Sequence, residues 1–232
     1  MALNLKTLDA ESESRVFALV AGPAGIGKTT QATTFPRHET LIISLENGLL
    51  SLKGSGYAAE EITTYDRLIE ILEVEITANK WIKHICIDSL SELYDLINKE
   101  AKDKYTASQN FAKFDYVKSK MFYAIRLAKQ LDVNCFFICH TKQEKNGLSL
   151  EENLAFDGKL PEDIKKQFDL ILHMKMHADE KGNEHRSFIT SPVISKVAKA
   201  RVSPFMDIKI EDIEEPNLYK LCQKLSGKKG EE

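Results

Sequence analysis

Residues 22–30, GPAGIGKTT, combine spaced glycines with a lysine and two threonines. They match the pattern GxxxxGK[ST], directly after the apolar run 16–21 and directly before a helix predicted from about Lys28. Glycines let backbone N–H groups turn inward around a phosphate, and a helix N-terminus adds partial positive charge. Lys28 would reach the β- and γ-phosphates of a nucleotide, and the Thr29 hydroxyl would bind Mg²⁺. The predicted nucleotide-binding residues are Gly22, Pro23, Ala24, Gly25, Ile26, Gly27, Lys28, Thr29 and Thr30.

A carboxylate follows a second apolar run, ICID, and ends it at Asp88. Phosphate chemistry with Mg²⁺ needs such a carboxylate at the end of a strand near the loop, so Asp88 is predicted to share the metal with Thr29. Asp88 could also be the N-cap of a helix over 89–98, and the two roles are compatible.

A second carboxylate, Glu46, ends the run LIISLE. Residue 89, where many ATPases have a water-activating glutamate, is a serine. Glu46, at the tip of a strand next to the loop, is therefore predicted to orient the attacking water. The alternative is that Glu46 is a solvated turn residue.

His140 ends a further apolar run, NCFFIC, and is the candidate for a hydrogen bond to the γ-phosphate. The alternative is a histidine that only caps a strand end.

The elements that must position these residues are short apolar runs alternating with helical stretches. Strands are predicted at 16–21, 40–45, 83–88, 134–139 and 168–174, and helices at 65–78 and 111–132. This alternation predicts an α/β fold with a mostly parallel central sheet flanked by helices. After Met174 a polar turn separates two strand-like runs, and 194–202 and 205–210 also resemble strands, so antiparallel strands are predicted at the C-terminal end. We expect an extension at 1–14, one domain over 15–225 and a solvated tail at 226–232.

The composition favours a globular protein of the cytoplasm. The chain has 232 residues, 43% of them hydrophobic, and a formal charge of −3, so any nucleic-acid contact must come from a local patch. No apolar run approaches membrane-spanning length, and no leader is recognisable. Four scattered cysteines without CxxC spacing favour buried free thiols. His173, His177 and His185 lack a cysteine partner at a usable spacing, so a zinc site is not favoured.

The order of these motifs resembles RecA-type recombinases, and in particular small phage-encoded RecA-like ATPases that assist recombination and single-strand annealing. The resemblance covers about residues 15–210. It implies a RecA-like P-loop NTPase core with ATP and Mg²⁺ as cofactors. It also implies that Glu46 is the catalytic glutamate, that Asp88 is the metal-site aspartate, and that His140 stands where many relatives have a glutamine sensor.

The same resemblance implies partners: single-stranded DNA, further copies of the chain in a ring or filament, and a single-strand-binding protein. The segment 142–160 resembles the mobile loop that touches DNA in RecA-like proteins, with Lys142 and Lys145 as its early cations. Three glutamates in this segment oppose DNA binding, so an ordinary flexible loop is the alternative.

Residues 197–205, VAKARVSPF, resemble the basic strand whose two cations reach the ATP of a neighbouring subunit. Period-two spacing puts Lys199 and Arg201 on one face and Lys196 on the other. The resemblance implies that these two cations act in trans, neutralising charge on the γ-phosphate. The alternative is an edge strand whose positive charges prevent aggregation.

The expected function is ATP hydrolysis, stimulated by single-stranded DNA, in phage-type recombination or annealing. One alternative is a nucleotide-dependent binding module with little turnover. A small-molecule kinase is less favoured, because no arginine-rich lid segment is visible.

Overall fold

The computed structural model describes residues 15–46, 48–146, 149–178, 182–202 and 208–226. The predicted extension at 1–14 lies outside the described residues, as does the predicted tail apart from Ser226.

One large sheet runs through the described residues, in the strand order β10-β8-β7-β1-β5-β4-β2-β3, with β6 paired to β5 and β9 to β7. The strands are β1 Phe17–Gly22, β2 Thr40–Ser44, β3 Ala58–Glu61, β4 His84–Asp88, β5 Asn134–Asn146, β6 Ser149–Leu154, β7 Leu170–Ala178, β8 Glu184–Ile189, β9 Lys199–Ala200 and β10 Ile213–Glu214. The pairs among β3, β2, β4, β5, β1 and β7 are parallel, and the pairs formed by β6, β8, β9 and β10 are antiparallel. The predicted α/β class is therefore confirmed, including the antiparallel strands near the C-terminal end.

The central strands are apolar on both faces, since helices cover both sides of the sheet. Every residue of β4, for example, is buried. The helices are α1 Tyr65–Glu70, α2 Ile76–Ala78, α3 Leu90–Lys104, α4 Asn110–Gln130, α5 Leu160–Lys165 and α6 Leu218–Leu225, with a π-helical stretch Ile71–Glu75 joining α1 to α2. The helices predicted at 65–78 and 111–132 are thus confirmed, and the observed ends lie within two residues of the predicted ones.

Two apolar cores result from this layering. Helices α1 to α5 pack on one face of the sheet, with Leu68, Leu93 and Met121 fully buried there. On the other face the residues after the phosphate loop and helix α6 form the second core, around Ala32, Phe136 and Leu218. The four cysteines Cys86, Cys135, Cys139 and Cys222 are free and buried, as predicted. Among the described residues no helix is long and apolar enough to cross a membrane.

Three local predictions need correction. The helix expected from Lys28 is a single 3-10 stretch, Thr29–Thr34, that ends before Pro36. Most residues of this stretch are threonines, which are β-branched and have a low helix propensity. A regular α-helix is therefore only weakly favoured here. The predicted loop at 142–160 is instead mostly a hairpin of β5 and β6, and it ends at Leu160, the first residue of α5.

The third correction concerns the strand predicted at 194–202. Only Lys199–Ala200 is strand there, because the chain between β8 and β9 leaves the sheet edge and turns over residues 191–198. Its apolar residues reach the core from a turn: Val197 is fully buried. Of the strand predicted at 205–210, residues 208–210 are not in a strand and the others lie outside the described residues.

Candidate nucleotide site

The candidate site lies at the carboxyl ends of four neighbouring parallel strands, β1, β5, β4 and β2. Gly22 at the end of β1 pairs with His140 on β5, and Ser44 on β2 pairs with Asp88 on β4. Parallel strands bring their carboxyl ends to the same edge of a sheet, where ligands of open α/β folds bind. The register therefore gathers the loop, Glu46, Asp88 and His140 at one edge.

Backbone geometry explains the glycines of the loop. Gly25 and Gly27 have φ angles of 73° and 98°, in the left-handed region that side chains disfavour. A Cβ at Gly22 would lie 2.7 Å from the carbonyl oxygen of Met174 on the neighbouring strand β7, so only glycine fits.

The lysine of the loop is nearly buried, with 5% of its surface exposed. Its Nζ donates to the carbonyl oxygen of Pro23 at 2.8 Å and lies 3.3 Å from Nδ1 of His140. Burial lowers the pKa of Lys28, and the nearby carboxylates of Asp88 and Glu46 oppose that shift. The ammonium is thus held inside the loop, where a bound phosphate would meet it.

Thr29 and Asp88 form the predicted metal corner. The Thr29 hydroxyl donates to Oδ2 of Asp88 at 2.6 Å. Asp88 is 3% exposed, and its Oδ1 has no hydrogen-bond partner among the described residues. Burial raises the pKa of Asp88 to about 6. A buried carboxylate oxygen without a partner, beside a hydroxyl, provides the hard oxygen ligands that Mg²⁺ prefers, so these residues fit the ion.

Asp88 is not the N-cap of the following helix. The N-cap of α3 is Ser89, whose hydroxyl accepts from the N–H of Glu92 at 3.2 Å. The alternative prediction that Asp88 is an N-cap is therefore wrong. Its carboxylate instead accepts a hydrogen bond from Thr29 of the loop.

Glu46, His140 and Lys28 form a hydrogen-bonded chain. Nε2 of His140 lies 2.8 Å from Oε1 of Glu46, while Nδ1 faces the Lys28 ammonium. A carboxylate only accepts and an ammonium only donates, so a neutral imidazole with its proton on Nε2 satisfies both bonds. The bond from His140 lowers the pKa of Glu46, which keeps this carboxylate ionised.

Ser91 is a site residue that sequence reasoning missed. Its hydroxyl accepts from the backbone N–H of His140 at 2.9 Å and so fixes the strand end that carries the histidine. The signal available in the sequence was its position three residues after Asp88, in the first turn of α3.

The two candidate trans cations lie far from the loop of their own chain. Ala200 pairs with Leu170, which pairs with Ala18 near the start of β1. Gly22 comes four residues later along that strand, roughly 13 Å at the usual rise. Lys199 donates to the carbonyl oxygens of Lys165 and Phe168.

Arg201 is more accessible than Lys199. Its Nη1 lies 3.4 Å from Oδ1 of Asp169, and 64% of its side chain is exposed. Either cation could reach a nucleotide only from a second copy of the chain.

The two candidate DNA-binding lysines lie on the β5–β6 hairpin. Lys142 is paired with Glu144 at 3.2 Å and Asp157 at 3.3 Å, whereas Lys145 is exposed. Glu152, on the facing strand, pairs with Lys175 on β7. Lys142 and Lys175, at the base of the hairpin, are thus paired with carboxylates, whereas Lys145 is exposed.

Comparison with known proteins identifies the family of the chain. A family model described as an AAA domain matches residues 14–202, most of the chain. No curated protein matches. The matched region contains the loop, Glu46, Asp88 and His140, and AAA ATPases generally use ATP and Mg²⁺. With its P-loop NTPase fold and this match, the chain belongs to the AAA domain family, which indicates a nucleotide-binding ATPase.

Proposed function

We propose that the protein is a RecA-like ATPase that couples hydrolysis of ATP to the handling of single-stranded DNA in phage-type recombination or annealing. The observation that carries the proposal is the series of hydrogen bonds that joins Glu46, His140 and Lys28, next to the Thr29–Asp88 pair. These are the parts that phosphoryl transfer to water requires: a cation for the phosphates, oxygen ligands for the metal and a carboxylate for the water.

Each residue has a distinct task in this proposal. Lys28 and the loop N–H groups hold the phosphates, and Thr29 and Asp88 bind Mg²⁺, which would neutralise charge on the phosphate oxygens. Glu46, ionised at neutral pH, orients the attacking water and accepts its proton. His140 donates to the terminal phosphate with Nε2, the nitrogen that faces Glu46 in this structure and carries the proton.

The link to DNA rests on continuity of one strand. β5 carries His140 and, two residues later, Lys142, and then forms the hairpin that also holds Lys145. A change in the hydrogen bonds of His140 on nucleotide binding is therefore transmitted to the hairpin without an intervening loop. The resemblance to RecA-like ATPases supports the choice of single-stranded DNA, with self-assembly and a single-strand-binding protein as further partners.

The second candidate is a nucleotide-dependent assembly module with little turnover. Two observations favour it: Glu46 is already engaged by His140, and Lys142 is neutralised by Glu144 and Asp157. A module of this kind would assemble with ATP but release phosphate slowly, with or without DNA.

The test is phosphate release from ATP and Mg²⁺, with and without a single-stranded oligonucleotide. We expect stimulation by the oligonucleotide, and a loss of turnover on the order of 100-fold or more in Lys28→Ala, since the cation that holds the phosphates is removed. Lys80→Ala, an exposed lysine in the turn before β4, is the matched control and should hydrolyse as the unmodified protein does.

Two results would decide against the ATPase. Equal hydrolysis by Lys28→Ala would remove the phosphate loop from the reaction. ATP-dependent assembly of the unmodified protein without turnover would select the assembly module, and turnover that ignores the oligonucleotide would remove the DNA part of the proposal.

A further inference from the structure

The geometry points to Arg186 as a second phosphate-binding cation, which contacts the non-terminal phosphates of the nucleotide held by its own chain. The inference rests on the proposed function, because it requires a nucleotide in the phosphate loop. It adds a residue from strand β8, a segment that the loop motif does not include.

Strand pairing places Arg186 beside the loop. β7 lies next to β1 in parallel, with His173 opposite Ala21, and it continues beyond the end of β1 to Ala178. β8 returns antiparallel to this extension, and Arg186 pairs with Met176. Arg186 therefore stands past the carboxyl end of β1, at the level where the chain has left the sheet to form the loop.

The contact itself is made with the last glycine of the loop. A Cβ built on Gly27 would lie 3.6 Å from Nε and 3.7 Å from Cδ of Arg186. The Arg186 side chain thus reaches the backbone that precedes Lys28. Gly27, with its φ of 98°, has no side chain to separate the guanidinium from a phosphate in the loop.

Arg186 is exposed, and no acceptor for its guanidinium is found among the described residues. Other arginines of the described chain are engaged: Arg67 with three glutamates, Arg201 with Asp169, and Arg126 over the ring of Phe122. A guanidinium presents several N–H donors in a planar fork that matches phosphate oxygens. Its donors are available at a place where an anion is expected.

The side of approach identifies the phosphates. β1 has β7 on one side and β5 on the other, and the residues assigned to the terminal phosphate, Glu46 and His140, lie on the β5 side. Arg186 approaches from the β7 side. It therefore binds the α- or β-phosphate, which ATP and ADP share, and not the γ-phosphate.

Titration of the purified protein with ATP, in the form of a slowly hydrolysed analogue, and with ADP tests the inference. Arg186→Ala should weaken both nucleotides by a similar factor, roughly tenfold or more, since a hydrogen-bonded charge pair is lost. Arg186→Lys keeps the charge but not the fork and should recover part of the affinity. Arg126→Ala, which removes an exposed arginine remote from the loop, should bind both nucleotides normally.

Unchanged ADP affinity in Arg186→Ala, with the unmodified protein binding ADP, would overturn this inference and leave the proposed function intact. A loss confined to the ATP analogue would also overturn it, because that pattern belongs to a γ-phosphate contact. Failure of the unmodified protein to bind either nucleotide would instead refute the proposed function and, with it, this inference. Thermal melting of each variant checks that the fold is retained.

Discussion

At the scale of single residues, the site holds two carboxylates with opposite electrostatic environments. Asp88 is buried with one oxygen unpaired, and burial raises its pKa to about 6. Glu46 receives a hydrogen bond from His140, which lowers its pKa. Environments that separate the pKa values of two carboxyl groups assign them different tasks. Here Glu46 is the ionised group suited to orient water, and Asp88 is the group that gains most from a cation.

Asp88→Asn should therefore stabilise the protein at neutral pH. The native pKa of Asp88, about 6, lies above the ordinary value of 3.8, so between these two pH values the native state retains a proton that the unfolded state has lost. Ionisation of Asp88 therefore lowers the free energy of unfolding as pH rises through this window. The full loss is present above about pH 6, and none of it below about pH 4. The expected gain at pH 7.5 is roughly 3 kcal/mol, the free-energy equivalent of this pKa shift.

Urea unfolding of both proteins at pH 7.5 and pH 4 measures this effect. The gain should shrink at the lower pH, and Asp88→Asn should lose Mg²⁺-dependent nucleotide binding in spite of its higher stability. A variant less stable than the parent at pH 7.5 would contradict the assigned burial cost.

Glu46→Gln should separate binding from chemistry. The glutamine amide retains an oxygen that accepts from His140, but it cannot take a proton from water. We expect hydrolysis to fall by about 100-fold or more while ATP affinity stays within a few-fold. Single-turnover hydrolysis and nucleotide titration measure the two quantities, with the exposed Glu61→Gln on β3 as the matched control.

At the scale of elements, the ends of strands and helices decide what each cation can do. Lys199 follows a turn that returns the chain to β7, and its ammonium lies against the carbonyl groups at the end of α5. A cation there satisfies carbonyls that the helix leaves unpaired and interacts favourably with the helix dipole. Lys199 therefore has a structural task in its own chain, whereas Arg201 extends into solvent.

Lys199→Ala should lower the free energy of unfolding by roughly 1 kcal/mol, since two carbonyl groups lose their donor. Lys196→Ala is the matched control: its ammonium pairs with Glu151 at the surface and 66% of its side chain is exposed, so little change is expected. Equilibrium denaturation compares the two variants. Equal stability of Lys199→Ala and the parent would show that these hydrogen bonds contribute nothing to the free energy of unfolding. The expected role of Lys199 in trans would then be the only one left for it.

At the scale of the whole molecule, the phosphate loop and Arg201 lie near opposite ends of the parallel strands. A single chain cannot bring both to one phosphate. Head-to-tail assembly, in which the loop edge of one copy meets the Arg201 edge of the next, would complete the site at every contact. This is the arrangement that the expected action of Arg201 in trans requires.

Mixing two inactive variants tests the arrangement. Glu46→Gln lacks the carboxylate, and Arg201→Ala lacks the cation. Where the loop of an Arg201→Ala copy meets the arginine of a Glu46→Gln copy, the contact contains both groups. An equal mixture should regain turnover at about a quarter of its contacts, if both variants assemble at random. Phosphate release measures it, and a mixture no more active than its parts would contradict action in trans.

The loop and the fold class could be predicted from the sequence because their signals are local. A GxxxxGK[ST] pattern between an apolar run and a helix needs no knowledge of distant residues, and Glu46, Asp88 and His140 were found as polar residues that end apolar runs. Polar strands had no such signal: β3 is the segment AAEE, and its place at the edge of the sheet is set only by pairing with β2.

The sequence by itself determined the phosphate loop, the alternation of strands and helices and the strand-end carboxylates, since each depends on neighbours within a few positions. Only the tertiary structure decided that His140 bridges Glu46 and Lys28, that Arg186 lies beside Gly27, and that Lys199 caps α5. These contacts join segments far apart in the chain. Their partners are set by strand register and by packing on the two faces of the sheet, and a local pattern contains neither.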